Sequence, residues 1–418
     1  MQIKLYEHQQ AALDATQDKA RCAYYLDMGL GKTFVGSEKA VSFHNKILVV
    51  CQKSKIEDWI THFAQYYNLP VFNLRLKRGL EKFFQTELCA GVINYDLIKN
   101  RDEFKTLRNF TLMLDESSEI QNHRAKRTKF ILRLHADNVI LLSGTPCSGK
   151  YENLYSQLKL LGDSIKKKEF DEKYINFEEL FLQGRNIKIV ARQNPYKDEE
   201  GLRQRLIDNG AVFMRTEEVM NLPEQIFTTI KVDKHKGYRR FQKERYLDLD
   251  GVELIGDTSL TQMLCERELC SIYSDAKRSA FEDILNSTND RLIVFYNFTE
   301  EFNKLREVCK DRAVSVVNGS TRDLTAYEDE DSSITFVQYQ AGAMGLNLQK
   351  AHYIVYASPP LRSDLFEQSK KRIHRIGQNK PCYYYMLECK GTVEHDIYTT
   401  LAKRQDYTQY LFEKGGAR

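Results

Sequence analysis

Apolar and polar positions alternate in a regular order along the first part of the chain. Short apolar runs rich in Val, Ile, Leu and Tyr are separated by helical patterns, and each run ends at polar residues or glycine. This order predicts a parallel β-sheet covered by helices. Because ligands bind at the carboxyl ends of the strands in such sheets, we expect functional residues there. The runs cover residues 22–26, 47–50, 91–94, 111–114 and 139–142.

The pattern changes twice more along the chain. Residues 162–289 are highly charged and predict mainly helices, and a second series of apolar runs follows them. We therefore predict an α/β protein with two parallel-sheet lobes and helical protrusions between them. The predicted boundaries are 1–161 for the first lobe, 162–289 for the protrusions and connection, and 290–418 for the second lobe. The later runs cover residues 292–295, 314–317, 335–338, 353–356 and 383–387.

Composition narrows the class of protein. The 418 residues suit two domains, and no apolar stretch approaches the roughly 18 residues of a membrane helix. Residues 1–15 contain no apolar signal core, so we expect an intracellular protein. The nine cysteines are scattered away from the histidines, which argues against a zinc site, and Cys265 and Cys270 are interpreted as core thiols. The net charge of +4 favours polyanionic partners only mildly.

A glycine-rich turn follows the first apolar run. Residues 24–33 read YYLDMGLGKT, and a helical pattern over 34–42 comes next. In this context backbone N–H groups can face phosphate oxygens, a lysine can neutralise β- and γ-phosphates, and a threonine can bind Mg²⁺. The turn alone is also compatible with chance, since Leu26 stands where the strict pattern has its first glycine. The assigned residues are Met28, Gly29, Leu30, Gly31, Lys32 and Thr33.

Two acids, Asp115 and Glu116, end the fourth apolar run. Asp115 would hold Mg²⁺ directly or through water, and Glu116 would polarise the water that attacks a γ-phosphate. A lone Asp-Glu pair at a strand end is more often simply solvated. The catalytic interpretation is favoured here because a phosphate-binding turn precedes the pair and LLSGTP, at 141–146, follows another run.

Together these motifs resemble those of helicase superfamily two, and specifically of the Swi/Snf-type chromatin-remodelling and repair translocases. The resemblance spans nearly the whole chain. DMGLGKT is similar to the family's DEMGLGKT, and LDESSEIQN corresponds to its Asp-Glu-Ala-His box, with Ser117 and Ser118 in place of Ala and His. The resemblance implies two RecA-like lobes, ATP and Mg²⁺ as cofactors, and adenine recognition by Gln9, which follows Leu5 and His8 as in the family.

The resemblance also implies contacts with nucleic acid. ILVVCQKSKIEDWITHF resembles the family segment that contacts the tracking strand, GVINYDLI resembles the next strand-and-tyrosine segment, and LLSGTP resembles its Thr-Gly-Thr-Pro segment. VFMRTEEVMNLPEQ matches the Arg-rich phrase before Leu-Pro in the family's connection. The implied contact residues are Lys53, Ser54, Trp59, Tyr95, Ser143, Thr145 and, in the second lobe, Gln340.

The most diagnostic phrase lies in the second lobe. QSKKRIHRIGQ, at 368–378, is similar to the family's Q-x-x-x-R-x-H-R-x-G-Q signature, and AGAMGLNLQ, at 341–349, looks like the motif that assigns Gly345 to the nucleotide. Arg372 and Arg375 are three residues apart, so we predict both on one helix face as arginine fingers for the γ-phosphate. A solvated basic helix would explain the two lysines before them but not the whole phrase.

Three departures from the family pattern leave local details open. Gln338 and Tyr339 stand where the family usually has Ser and Thr, Ala343 replaces a glycine, and residues 358–360, Ser-Pro-Pro, replace Trp-Asn-Pro. None of them touches the predicted hydrolytic residues. Two basic runs, at 123–129 and 236–243, are balanced between phosphate contact and ordinary surface; the second includes a Tyr/Phe stripe that is interpreted as packed.

The resemblance implies an ATP-driven motor that closes its lobes around ATP and moves on double-stranded DNA without sequence preference, remodelling DNA or protein–DNA complexes. A strand-separating DNA or RNA helicase is an alternative, and a non-hydrolysing nucleic-acid-binding scaffold is a second one. We expect a monomer without membrane contact, with a separate protein partner for targeting. The expected location is the cytoplasm, or the host cytoplasm if the protein is phage-encoded, since it resembles minimal phage and bacterial versions.

Overall fold

The computed structural model describes residues 3–182, 185–219, 221–309, 311–342 and 346–412. It divides the chain into two compact units, Met1–Met220 with Asp406–Arg418, and Asn221–Gln405. Each unit contains one seven-stranded sheet. The predicted α/β class with two parallel-sheet lobes is confirmed.

The first unit is built on a sheet with the strand order β3-β4-β2-β5-β6-β1-β9. All of its strand pairs are parallel. Its strands, with those of a separate antiparallel hairpin β7–β8, are β1 Arg21–Leu26, β2 Lys46–Cys51, β3 Val71–Asn73, β4 Ala90–Asn94, β5 Phe110–Asp115, β6 Asn138–Ser143, β7 Phe177–Leu182, β8 Arg185–Val190 and β9 Ala211–Met214. Its helices before the C-terminal one are α1 Glu7–Asp14, α2 Lys32–Ser42, α3 Ile56–Tyr66, α4 Lys77–Gln85, α5 Tyr95–Ile98, α6 Lys126–Ile131, α7 Tyr155–Leu160, α8 Lys167–Tyr174, α9 Glu199–Asp208 and α10 Thr216–Val219.

The second unit has the strand order β10-β18-β17-β13-β16-β14-β15, in which only the pair β14–β15 is antiparallel. Its strands, with those of a separate hairpin β11–β12, are β10 Gln225–Val232, β11 Tyr246–Leu249, β12 Val252–Ile255, β13 Leu292–Tyr296, β14 Val314–Val317, β15 Arg322–Asp323, β16 Ile334–Gln338, β17 Tyr353–Tyr356 and β18 Cys382–Cys389. The remaining helices are α11 Tyr238–Glu244, α12 Ser259–Ser271, α13 Asp275–Ser287, α14 Thr299–Glu307, α15 Thr325–Asp329, α16 Tyr339–Gly342, α17 Ser363–Lys370 and α18 Val393–Phe412.

Both faces of the first sheet are buried, as the continuous apolar runs predict. Alternate side chains of β1 show this directly: Ala23 and Tyr25 belong to one apolar cluster, and Cys22 and Tyr24 belong to another. Helix α2 packs closely on the sheet through Gly36, where an added Cβ would lie 2.9 Å from Leu142 Cδ1. The close approach fixes the N-terminus of α2 at the carboxyl edge of the sheet.

The predicted strands agree with the structure to within two residues at each end. The described part of the middle segment contains six helices, as expected, and also six strands that were not predicted. Residues 162–289 contain strands β9 and β10, one for each sheet, and the hairpins β7–β8 and β11–β12. In β8 (RNIKIV) Lys188 stands between two isoleucines, which is the period of a strand rather than of a helix. The division between the units, at residues 220 and 221, falls inside this segment.

Two further expectations concern cysteines and membranes. Cys265 and Cys270 are buried free thiols, as predicted. Within the described ranges, the structure contains no helix long and apolar enough to cross a membrane.

Candidate nucleotide site

The glycine-rich turn connects β1 to α2. Gly29 and Gly31 have φ values of +89° and +75°, a left-handed conformation that glycine adopts without strain. Helix α2 begins at Lys32, directly after Gly31. The first N–H groups of the helix have no carbonyl group one turn earlier to bond to, and they lie near the end of the buried strand β1. This is the local geometry that binds phosphate.

Lys32 lies against the turn. Its Nζ donates to the backbone oxygen of Leu26 at 2.8 Å and to that of Asp27 at 3.1 Å. A Cβ on Gly144, in the LLSGTP segment, would lie 3.3 Å from this Nζ. The absence of a side chain at Gly144 therefore leaves room for the lysine.

The turn is anchored by a contact that the sequence did not reveal. Asp27 Oδ2 accepts hydrogen bonds from Thr216 N at 3.2 Å and from Thr216 Oγ1 at 3.0 Å. The backbone N of Asp27 donates to Met214 O at 2.9 Å. The conformation of the turn thus depends on β9 and α10. In the sequence, these contacts come from the phrase VFMRTEE, which by resemblance belongs only to the connection between the lobes.

A small cavity lies beside the turn, at Gln9. The amide of this buried residue accepts from Tyr6 N at 2.9 Å through Oε1 and donates to Leu30 O at 3.3 Å through Nε2. The cavity has a volume of about 240 Å³, and Gln9, Tyr6, Phe34 and Tyr66 are among its lining residues. Aromatic walls with one buried amide suit a flat, hydrogen-bonding ring such as a purine.

Asp115 and Glu116 lie together at the end of β5. Asp115 Oδ2 accepts a hydrogen bond of 2.8 Å from Trp59 Nε1. Glu116 Oε1 accepts from Ser143 Oγ at 2.6 Å and from Ser118 Oγ at 2.8 Å. Glu116 has a φ of +59°, which is unusual for a residue with a side chain and sets the chain off in a new direction after the strand.

Burial raises the pKa of both carboxyl groups, and it is the largest influence on each. The hydrogen bond from Trp59 and the charges of Lys55 and Lys32 act in the opposite direction on Asp115, and the hydrogen bond from Ser143 does so on Glu116. Two acids in so little water are stabilised as anions by a nearby cation.

The residues assigned to Mg²⁺ fit this ion. Thr33 is exposed at the start of α2, and Asp115 uses only Oδ2 in its hydrogen bond to Trp59. Hydroxyl and carboxylate oxygens are hard ligands, which Mg²⁺ prefers. The buried anionic pair also provides the electrostatic reason for a divalent cation here.

Four of the residues that are expected to contact nucleic acid are buried near the acidic pair. Trp59, Tyr95, Ser143 and Thr145 are between 0% and 6% exposed. The Tyr95 hydroxyl donates to the backbone oxygen of Asp115 at 3.0 Å, and Thr145 N donates to Ser143 Oγ at 3.1 Å. Trp59, Tyr95 and Ser143 thus bond to the acidic pair through their side chains, and contact of these four residues with nucleic acid stays a prediction.

The other three expected contacts are on the surface. Lys53, Ser54 and Gln340 are exposed, and their contact with nucleic acid stays a prediction. In the run 236–243, Tyr238 and Phe241 are fully buried, so the packed stripe is confirmed.

Gln157 connects three of the motifs, a role that no pattern in the sequence indicates. Its Oε1 accepts from Ser117 Oγ at 2.7 Å and from Tyr25 OH at 2.9 Å, and its Nε2 donates to Pro146 O at 2.6 Å. Ser117, which replaces the Ala of the family's box, therefore connects the acidic pair to α7 and to the LLSGTP segment.

The arginine phrase of the second unit does not form one helical face. Helix α17 ends at Lys370, and Arg372 and Arg375 lie in the turns that follow it. The prediction of a shared helix face was wrong because the chain tightens to an i, i+3 hydrogen bond, from Arg372 N to Ser369 O at 3.2 Å, where a helix would have continued.

Most of this phrase holds the second unit together. Arg372 is buried and donates through Nη1 to Leu346 O at 3.3 Å, and Gln378 Nε2 donates to Ala351 O at 2.8 Å. His374 Nε2 lies 2.8 Å from Pro223 O. These contacts fix the end of the AGAMGLNLQ motif and the start of the unit. Gly345 and Ala343 lie outside the described residues.

Arg375 differs from its neighbours. Its side chain is half-buried, and it makes no hydrogen bond or ion pair to the described part of the chain. Burial lowers the pKa of its guanidinium group. A cation that is partly withdrawn from water and has no carboxylate partner gains most from an anionic ligand.

The Ser-Pro-Pro departure has a defined structure. Asn297 Nδ2 donates to Ser358 Oγ at 2.8 Å and to Pro359 O at 3.1 Å, and Ser358 Oγ donates to Glu301 Oε2 at 3.0 Å. Tyr339, another departure, donates from its hydroxyl to Ser358 O at 2.9 Å. Polar contacts to the serine therefore fix the loop that lacks the family's tryptophan.

Comparison with protein families gives two matches. A family model described as the SNF2-related domain matches residues 15–311, which is more than half of the chain. A second, described as the helicase conserved C-terminal domain, matches residues 276–377.

The individual relatives have low sequence identity to this chain but match most of its length. An uncharacterised ATP-dependent helicase of Mycoplasma pneumoniae is 21% identical over 419 residues, which cover 91% of this chain and 39% of that protein. The DNA repair and recombination protein RAD54-like of Drosophila ananassae is 22% identical over 456 residues, covering 90% of this chain and 57% of that protein. The chain thus spans less than two thirds of either relative. Among solved structures, the Sulfolobus solfataricus SWI2/SNF2 ATPase core in complex with dsDNA is 18% identical, with a TM-score of 0.47 and coverage of 97% of this chain and 92% of that chain.

Proposed function

The chain belongs to the SNF2-related, Swi/Snf-type family of helicase superfamily two, and we propose on this basis that it is a nucleic-acid-stimulated ATPase that moves on double-stranded DNA. The observation that carries the proposal is the pairing, within one unit, of the Lys32 turn with the buried acids Asp115 and Glu116. A scaffold that only binds nucleic acid has no use for two buried carboxylates, because their burial is costly without a function.

The first unit would bind ATP along the carboxyl edge of its sheet. Gln9 and its cavity would take the adenine ring, and Lys32 and the N-terminus of α2 would take the phosphates. Thr33 and Asp115 would hold Mg²⁺, which supplies positive charge to the phosphate oxygens when it is bound. Glu116 would orient and polarise the attacking water, and its hydrogen bonds from Ser143 and Ser118 keep its free oxygen in a fixed direction.

The two arginines of the second unit would have different tasks. We infer that Arg375 stabilises the negative charge that develops on the γ-phosphate, because it is half-buried and without a carboxylate partner among the described residues. Arg372 is a positioning residue, since it is buried and bonded to Leu346 O. Hydrolysis then requires both units, as the Swi/Snf-type resemblance implies.

Double-stranded DNA is proposed as the track for two reasons. The family is one of duplex-DNA translocases and remodellers, and the RAD54-like relative is named for DNA repair and recombination. A grip on the phosphate backbone gives movement without sequence preference and a strong dependence on salt. Remodelling of protein–DNA complexes, a monomeric state and a separate targeting partner belong to the same proposal.

The deciding experiment compares ATP turnover with no nucleic acid, duplex DNA, single-stranded DNA and RNA. We expect the largest stimulation with duplex DNA and translocation without strand release, measured by displacement of a triplex-forming strand. A larger response to single strands, together with release of an annealed strand, would replace the translocase by a helicase. If none of these nucleic acids supports ATP turnover, the remaining hypothesis is a non-hydrolysing nucleic-acid-binding scaffold.

A further inference from the structure

A basic cavity lies on the first unit. It has a volume of about 730 Å³ and is bordered by the chain after the acidic pair, by α8, by hairpin β7–β8 and by the segment after the hairpin. We call it the basic groove and define it by its five cationic residues. These are Arg124, Lys167, Lys168, Lys188 and Lys197.

Only part of this positive charge is neutralised locally. Two acids, Asp171 and Glu172, also line the groove, and they pair along α8 with Lys167 and, at 3.7 Å, with Lys168. The other three cations, Arg124, Lys188 and Lys197, have no ion pair within the described ranges of the chain. Arg124 lies in the basic run after the acidic pair, whereas Lys188 and Lys197 lie in β8 and in the segment that follows it, more than sixty residues later. The fold therefore gathers unneutralised positive charge in one place.

A neighbouring histidine shows the same electrostatic environment. The pKa of His123 is lowered, first by burial and then by the charges of Lys167 and Arg124. The two cations thus disfavour a further positive charge at His123, beside the groove.

Hairpin β7–β8 adds an aromatic side chain to the groove. Lys188 lies over the ring of Phe177 at 4.5 Å, and both residues line the cavity. The register pairs Phe177 with Val190, Glu179 with Lys188 and Phe181 with Asn186. Because side chains alternate between the two faces of a hairpin, Phe181 is on the same face as Lys188. Phe181 is 71% exposed, which is an unusual position for so large an apolar group.

We propose that the basic groove and Phe181 form a binding surface for the sugar–phosphate backbone of duplex DNA. The inference rests on the proposed function and gives the first unit a DNA contact outside the family motifs. The three unneutralised cations suit a row of phosphates, and an exposed ring on the same hairpin face suits contact with the sugar edge of a groove. An acidic protein segment would satisfy the charges equally well, but the location of the groove does not favour such a partner.

The location favours DNA because the chain that carries the catalytic acids reaches the groove a few residues later, at Arg124. Arg124 follows Glu116 by eight residues, across the 3₁₀ turn Ser117–Ile120. Arg127, in the same basic run, is bonded to Glu119 of that turn at 2.9 Å. A DNA strand bound at the groove would thus contact the segment that directly follows the acids.

The test measures duplex DNA binding and duplex-stimulated ATP turnover over a series of salt concentrations. The variant is Lys188→Gln with Lys197→Gln, and the matched control is Lys77→Gln with Arg78→Gln, two exposed cations on α4. We expect the groove variant to bind duplex DNA about tenfold more weakly at low salt, with a salt slope smaller by about 1.8, because each lost phosphate contact removes roughly 0.9. The control should behave as the wild type.

Phe181→Ala should also weaken binding, but with an unchanged salt slope, since no charge is lost. Arg124→Gln provides a second loss of charge, with a slope change of about 0.9. If the wild type binds duplex DNA and the groove variants match the control in affinity and slope, the groove proposal is wrong while the proposed function stands. If the wild type shows no stimulation by any nucleic acid, the proposed function itself fails. Weakened binding to single strands alone would also overturn the proposal.

Discussion

The indole of Trp59 donates a 2.8 Å hydrogen bond to Oδ2 of Asp115, the carboxylate assigned to Mg²⁺. The tryptophan is 3% exposed and packs against Phe63 and His62, so the indole has little freedom to move. The hydrogen bond therefore fixes Oδ2 of Asp115, and because the carboxylate is rigid it also orients the other oxygen.

Replacing Trp59 by Phe should raise the Mg²⁺ concentration needed for half-maximal ATP turnover. A buried hydrogen bond to a charged group contributes about 1.5–3 kcal/mol, so we expect a shift of roughly tenfold or more. Tyr67→Phe is the matched control, because it removes a 3.0 Å hydrogen bond to Glu38 at the edge of the same aromatic cluster. Equal Mg²⁺ dependence in the two variants would contradict the role given to Trp59.

Replacing Lys32 by Ala, Glu116 by Gln or Arg375 by Ala should each abolish DNA-stimulated hydrolysis, by about 10²-fold or more. Glu116→Gln should still bind a fluorescent ATP analogue, because the amide keeps the size of the side chain. Arg322→Ala, on β15, removes an exposed arginine of the second unit and should retain the wild-type rate. Wild-type turnover in any of the first three variants would remove that residue from the mechanism.

Replacing Arg372 and replacing Arg375 should have different effects on the stability of the protein in thermal unfolding. Arg372→Ala removes a buried donor to Leu346 O and should reduce the free energy of unfolding by about 2 kcal/mol. Arg375→Ala should change it by no more than about 0.5 kcal/mol, since the side chain makes no hydrogen bond to the described residues. Matching melting temperatures for these variants would show that the distinction between a positioning and a catalytic arginine is wrong.

Thr216→Val should weaken ATP binding without lowering the turnover rate much. Valine keeps the volume of the side chain but removes the 3.0 Å hydrogen bond to Asp27, so the glycine turn loses one of its anchors. We expect KM for ATP to rise about tenfold, which corresponds to about 1.4 kcal/mol. Thr228→Val, on β10, is a threonine control away from the turn. A fall in kcat with unchanged KM would point to another role.

His62 should make the first unit less stable in mild acid. Burial lowers its pKa to about 4, from the ordinary value of 6.5. Between these two pH values the unfolded chain binds a proton that the folded chain excludes, so stability falls as the pH falls. His62→Phe should lose about 1–2 kcal/mol less than the wild type over this window, in urea titrations at each pH. A parallel loss in both proteins would show that His62 does not titrate as described.

Much of the fold was predictable because its strands are continuous apolar runs that end in polar residues. The phosphate turn and the acids were found for the same reason, since the turn begins at Asp27, directly after one such run, and Asp115 comes directly after another. Strands β7 to β12 were not predicted because they lie in a stretch of highly charged sequence, which favours helices. Burial was harder to predict: Trp59 and Tyr95 belong to segments that resemble strand-contacting motifs, yet they pack inward. Long-range hydrogen bonds such as that of Gln157 leave no periodic pattern.

The left-handed backbone of Glu116 has a consequence for engineering. A φ of +59° in a residue with a Cβ costs about 1 kcal/mol, and the buried carboxylate adds a desolvation cost. Glycine at this position would relieve both. Selection for thermostability alone would therefore favour variants that no longer hydrolyse ATP. Variants must be screened for activity at every round of selection.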